Sequence, residues 1–124
     1  MQQSSFNTYG KHQIADIWGC DSDTIDNFAF MKALCELAAN ATGATVVDII
    51  FKDFEPQGLT ILVLLEESHL SIHTYPEFGF IAFDCYTCSN YCFPDRALDV
   101  FKQILKPSKV VERFLERGIQ GVIE

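Results

Sequence analysis

At 124 residues, with 48% apolar and 21% charged residues, the chain has the composition of one globular domain with a single core, residues 1–124. Its formal charge of −8 argues against nucleic acid, since phosphate binding needs a basic footprint, and is compatible with a cationic small substrate. No apolar run reaches bilayer-spanning length. The opening Met1-Gln2-Gln3-Ser4-Ser5 lacks the basic and apolar blocks of a signal peptide. Five cysteines, an odd number, read as reduced thiols, so we expect a cytoplasmic protein.

In chain order, residues 10–20 carry Ile14, Ile17 and Trp18 and read as a first strand. Asp21-Ser22-Asp23 offers capping residues. Behind it Ile25, Phe28, Met31, Cys35 and Ala38 recur at helical spacing, predicting one helix to about Ala41, stopped by Gly43. Two β-rich runs, Ala44 to Phe54 and Leu59 to Leu65, flank the turn signal Glu55-Pro56-Gln57-Gly58 and read as a hairpin. An extended segment from Ser68 to Tyr75 turns at Pro76-Glu77-Phe78-Gly79 into a strand from Phe80 to Tyr86. Pro94 suits the first turn of a second helix, with Ala97, Val100, Phe101 and Ile104 as its buried stripe and Pro107 as its end. A short strand, Val110 to Leu115, closes the pattern.

The order β-α-β-β-β-β-α-β with hairpin-length turns predicts an α+β two-layer sandwich, an antiparallel sheet with helices on one face. The other face would be uncovered in a monomer, so a homodimer packed as αββα is expected.

Chemistry concentrates in Glu66-Glu67-Ser68-His69-Leu70-Ser71-Ile72-His73-Thr74-Tyr75-Pro76-Glu77. Two histidines, two serines and three acids follow directly on an apolar strand. These residue types permit acid–base and nucleophilic work without specifying it, and a polar edge strand would also account for them. No nucleophile-elbow glycine pattern surrounds Ser68, which argues against a serine hydrolase.

This twelve-residue segment closely resembles the self-processing segment of the small prokaryotic S-adenosylmethionine decarboxylases. Gly10-Lys11-His12, Gly43-Ala44-Thr45, Thr87-Cys88 and the total length extend the likeness along most of the chain. The resemblance implies a proenzyme that cuts its Glu67–Ser68 bond into chains 1–67 and 68–124, leaving Ser68 as an N-terminal pyruvoyl group, the covalent cofactor. A serine suits that step because its oxygen lies one carbon from the backbone and can leave together with the α-hydrogen. The same resemblance makes His73 the base for elimination and Thr60, where relatives often carry serine, a processing hydroxyl. It makes Cys88 the proton donor of the mature enzyme, a role that needs a protonated thiol. Substrate contacts are implied for Phe54, Leu70, Tyr75 and Glu77, with Tyr75 standing where tryptophan is common. Ser68 and His73, five apart, would lie on opposite faces of a regular strand, so a bulge, the chain break or a displaced His73 must resolve the spacing.

Cys85, Cys88 and Cys92 form C-x2-C-x3-C, but the segment alternates like a buried strand running into a loop, and no metal is expected. Cys20 and Cys35 read as structural, and His12 and His69 receive no role. The rivals to S-adenosylmethionine decarboxylation are a pyruvoyl enzyme acting on arginine or ornithine, and a non-catalytic α+β binding domain.

Overall fold

The computed structural model describes residues 8–119, so Met1-Gln2-Gln3-Ser4-Ser5 lies outside the described residues. Six strands form one sheet: β1 (Gly10–Trp18), β2 (Val46–Asp53), β3 (Leu59–Leu65), β4 (Ser68–Tyr75), β5 (Phe80–Thr87) and β6 (Lys109–Arg117). The spatial order is β2-β3-β4-β5-β1-β6, and every neighbouring pair is antiparallel. The middle four strands in sequence form a meander. β1 and β6 close it through long connections, with β1 paired to both β5 and β6.

Alternation sorts the side chains. Leu59, Ile61, Val63 and Leu65 of β3, Leu70 and Ile72 of β4, Ile81, Phe83 and Cys85 of β5, and Ala15 and Ile17 of β1 point to one face. Against that face lie Met31, Leu34, Cys35 and Ala38 of α2 (Phe28–Ala41) and Ala97, Leu98 and Phe101 of α3 (Pro94–Leu105). Burying side chains of this size stabilises the fold by about 1.5–3 kcal/mol each before entropy is counted. This is the predicted two-layer sandwich, with both long helices on one face.

The single helix expected from Asp21 onward is two. α1 (Ser22–Ile25) ends at Asp26, and α2 begins after Asn27, whose side chain accepts the Phe30 N–H at 3.0 Å. Asp and Asn compete for backbone donors and favour caps over helix interiors, so two in a row break a helix that apolar spacing alone would continue. Asp26 is turned to a distant use: its Oδ1 accepts the Gly58 N–H at 2.9 Å and holds the β2–β3 turn. Asn27→Ala should cost about 1 kcal/mol and lower the thermal midpoint by a few degrees, read by circular dichroism. Ile104, placed on the buried stripe of the second helix, is 46% exposed, and Leu98 takes the buried position instead.

The opposite face of the sheet is open. Ile50, Leu62, Leu64, Val111 and Leu115 lie on it with substantial exposure, around a polar centre described below. Among the described residues, no helix is long and apolar enough to cross a membrane.

Candidate active site

Leu65 pairs with Ser68, so β3 and β4 are joined by the two-residue turn Glu66-Glu67. Glu67 has φ +58, a left-handed conformation that costs a non-glycine residue on the order of 1–2 kcal/mol. The Glu67–Ser68 peptide therefore sits at a point of backbone strain. Ser68 faces the helix side of the sheet and is 9% exposed. Beyond the end of β5, Cys88 directs its thiol at the same peptide: Sγ donates to the Glu67 carbonyl oxygen at 2.7 Å and lies 4.0 Å from Ser68 Oγ. A cavity of about 440 Å³, lined by Thr45, Glu66, Glu67, Ser89 and Cys92, opens beside them.

A second group occupies the far end of β4. His73 stands opposite Thr60 of β3, and His73 Nδ1 and Thr60 Oγ1 share a hydrogen bond of 3.0 Å. Both line a cavity of about 360 Å³ together with Phe54, Tyr75 and Glu77. The walls are fixed from below, where Thr74 accepts the Leu59 N–H at 2.9 Å. Tyr75 stacks on Phe80 at 5.4 Å, and Phe80 on Trp18 at 4.3 Å, so the aromatic wall is braced.

The expected site residues thus fall into two sets. Ser68, Glu67 and Cys88 meet at one end of β4; Thr60, His73, Phe54, Tyr75 and Glu77 meet at the other. Leu70 belongs to neither cavity wall of these sets, being fully buried in the core. Ser68 and His73 are not brought together within one chain. β4 runs without a bulge, so five residues separate them by about 17 Å and leave them on opposite faces.

A third group was missed by sequence reading. On the open face, Asp84 of β5 gathers His12 of β1 and His69 and Ser71 of β4. His12 Nε2 and His69 Nε2 lie 2.7 and 3.0 Å from Asp84 Oδ2, and the Ser71 hydroxyl donates to Oδ1. Arg117 of β6 donates to His12 Nδ1 at 3.2 Å. Three strands meet at one carboxylate and β6 joins them through His12, and only the sheet order makes that visible. Burial opposes the Asp84 charge, yet hydrogen bonds from His69, Ser71 and His12 outweigh it and hold the carboxyl below the ordinary range. The Asp84 hydrogen bond raises His69 against the effect of burial.

These opposite shifts fix a pH window. A depressed carboxyl stabilises the fold above its unfolded pKa, near 4, and that contribution is lost as pH falls. A raised imidazole stabilises below its unfolded pKa, near 6.5, and its contribution is lost as pH rises through the folded value. Stability should therefore peak between about pH 4 and 6.5, and Asp84→Asn should flatten the profile of thermal midpoint against pH.

The five cysteines are free. Burial pushes the Cys20 thiol to about 11 and the Cys35 thiol to about 12, and raises Cys85 further still, so these three are packing groups. Cys88 is more exposed than the other four.

The fold has a counterpart among solved structures. The crystal structure of the adenosylmethionine decarboxylase from Aquifex aeolicus VF5 superposes with a TM-score of 0.84 at 35% identity, covering 96% of this chain and 98% of that one. The family model described as S-adenosylmethionine decarboxylase matches residues 11–118. The chain is 47% identical over 118 residues to S-adenosylmethionine decarboxylase proenzyme 2 of Bacillus anthracis, covering 95% of this chain and 96% of that one. It is 48% identical over 114 residues to the S-adenosylmethionine decarboxylase proenzyme of Brevibacillus brevis, covering 92% and 86%. The chain belongs to the S-adenosylmethionine decarboxylase family.

Proposed function

We propose that this chain is a proenzyme that cuts its own Glu67–Ser68 bond and then decarboxylates S-adenosylmethionine, supplying the aminopropyl donor for spermidine synthesis. The observation that carries this reading is the strained Glu67–Ser68 turn with the Cys88 thiol 2.7 Å from its carbonyl oxygen. Relatives named for S-adenosylmethionine favour that substrate over arginine or ornithine.

In the cut, Ser68 Oγ attacks the Glu67 carbonyl carbon and the amide becomes an ester. The Cys88 thiol hydrogen-bonds the oxygen on which negative charge develops, and release of the left-handed Glu67 conformation offsets part of the uphill cost. A base then takes the α-hydrogen of residue 68. The Cβ–Oγ bond breaks, Glu67 leaves as a carboxylate, and hydrolysis removes the nitrogen as ammonia. His73, hydrogen-bonded to Thr60, is the base in this reading.

The residues fit the expected pyruvoyl group: a serine carries it, nearly buried, beside a thiol and an open cavity. That group supplies, in place of a separate cofactor, a carbonyl that takes the substrate amine and draws in the electrons left by carbon dioxide. Cys88 holds a proton 4.0 Å from the residue 68 side chain, placed to return it to the substrate α-carbon. Phe54 and Tyr75 offer aromatic faces to an adenine or a sulfonium, Glu77 can accept from ribose hydroxyls, and Leu70 backs the strand that carries them.

The two half-sites lie at opposite ends and faces of β4, so one chain is incomplete. A homodimer packed through the open apolar face, as αββα, resolves this. In an isologous pairing the Thr60–His73 end of one copy meets the Ser68–Cys88 end of the other, twice over. The five free cysteines suit a reducing compartment, and we assign the enzyme to the cytoplasm.

Intact mass of the purified protein tests the reading. Two fragments meeting at Glu67–Ser68, one shifted by hydroxylamine, together with carbon dioxide release from S-adenosylmethionine, are expected. A single chain without a reactive carbonyl after long incubation would overturn it.

A further inference from the structure

Cutting the Glu66-Glu67 turn, if the reading above holds, changes how residue 68 is held. In the proenzyme it is pinned covalently from both sides, at the closing pair of a hairpin. Afterwards it is a chain end that has given up its amide nitrogen, and ends of strands fray unless tied down. The side chain nearest that end is His69, whose Nε2 lies 3.0 Å from Asp84 on β5. Asp84 sits four residues before Cys88, and Ser71 and His12 grip the same carboxylate from the two strands flanking β5. From the far side, Arg117 of β6 holds His12 in place.

We propose that His69 and Asp84 form the anchor that keeps residue 68 in register with Cys88 once the chain is cut. They are positioning residues for turnover rather than groups that react. A divalent metal at the same three side chains fits less well: with an Arg117 N–H donating to His12 Nδ1, His12 Nε2 carries a proton toward Asp84 and has no lone pair to offer. The network also adds pH-dependent stability to the fold, but it lies on the open face, where the proposed homodimer packs, and the apolar core on the other face does not depend on it.

The consequence is a separation of two steps. Cleavage happens while the turn still holds Ser68 and should tolerate loss of the anchor. Decarboxylation happens afterwards and should not. The test uses the full chain with His69→Ala and His69→Gln, followed by intact mass, steady-state kinetics and hydrogen exchange of the peptide that begins at residue 68.

His69→Ala should self-cleave at close to the wild-type rate. Its kcat should then fall by roughly ten- to a hundredfold, the effect of misplacing a reacting group by about an ångström. KM should change little, and amides next to residue 68 should exchange faster. His69→Gln, whose amide N–H reaches the position of Nε2, should recover most of kcat and protection. Wild-type kcat and exchange in cleaved His69→Ala would overturn the proposal, as would slowed cleavage followed by normal turnover. An uncut wild-type chain would instead sink the self-processing reading on which the proposal rests.

Discussion

Ser68→Ala should leave the chain whole and drop decarboxylation to the uncatalysed level, a loss on the order of 10⁶ or more. Alanine keeps the fold, because Ser68 makes no hydrogen bond that the core needs, yet it removes both the attacking oxygen and the leaving oxygen. His73→Ala should also slow cleavage, by about 10²–10⁴, because it removes the proposed base. The decisive arm combines the two. If β4 works only within its own chain, mixing the variants rescues nothing. If the dimer brings His73 of one copy to Ser68 of the other, a mixed dimer contains one complete site: the His73→Ala chain supplies Ser68 and the Ser68→Ala chain supplies His73. With the two chains carrying tags of different mass, only the His73→Ala chain should be cut. No rescue in dimers shown to be mixed would rule out the site built from two copies.

The separation of Ser68 from His73 that motivates this test was half legible in the sequence. The odd spacing of Ser68 and His73 already puts them on opposite faces, and unbroken pairing through β4 removes the bulge that would have reconciled them. The meeting of Ser68 with Cys88 follows from local information as well. A turn at Pro76–Gly79 sets His69 opposite Tyr86, so Ser68 and Cys88 both lie close to where that ladder ends. Gly79 makes the turn possible: its φ is +60, and a Cβ there would come within 2.8 Å of the Cys20 carbonyl oxygen. The grouping of Phe54, Thr60, His73 and Tyr75 is likewise a product of two consecutive hairpins.

What stayed hidden depends on pairings between distant segments. Nothing in the spacing of β1 says that it enters between β5 and β6, and without that placement His12 has no reason to meet Asp84 or Arg117. The helix break at Asp26-Asn27 is local, but its purpose is not, since the Asp26 carboxylate serves a glycine 32 residues away. Apolar periodicity read through the break because Ile25 and Met31 are both buried against the same core. Leu70 shows the limit of likeness: a residue matched as a substrate contact has its side chain in the core, so any contact it makes must come through its backbone.

Cys88 should have two separable effects, because its thiol touches two things. In the proposed function, the hydrogen bond to the Glu67 carbonyl oxygen acts before the cut and the proton on Sγ acts in turnover. Cys88→Ala loses both. Cleavage should slow by about tenfold, less than the 10²–10³ of a full oxyanion-hole donor, because a thiol is a weak one. Turnover of the cleaved protein should fall by about 10²–10⁴, the range for loss of a positioned general acid. Cys88→Ser separates the effects. A hydroxyl is a better hydrogen-bond donor, so cleavage should return to near the wild-type rate. The same hydroxyl holds its proton far more tightly than a thiol does, so decarboxylation should remain low. Intact mass over time gives the first rate and carbon dioxide release from the fully cut protein gives the second. Equal recovery of both in Cys88→Ser would remove proton donation from the role of this residue and leave only its contact with the scissile carbonyl.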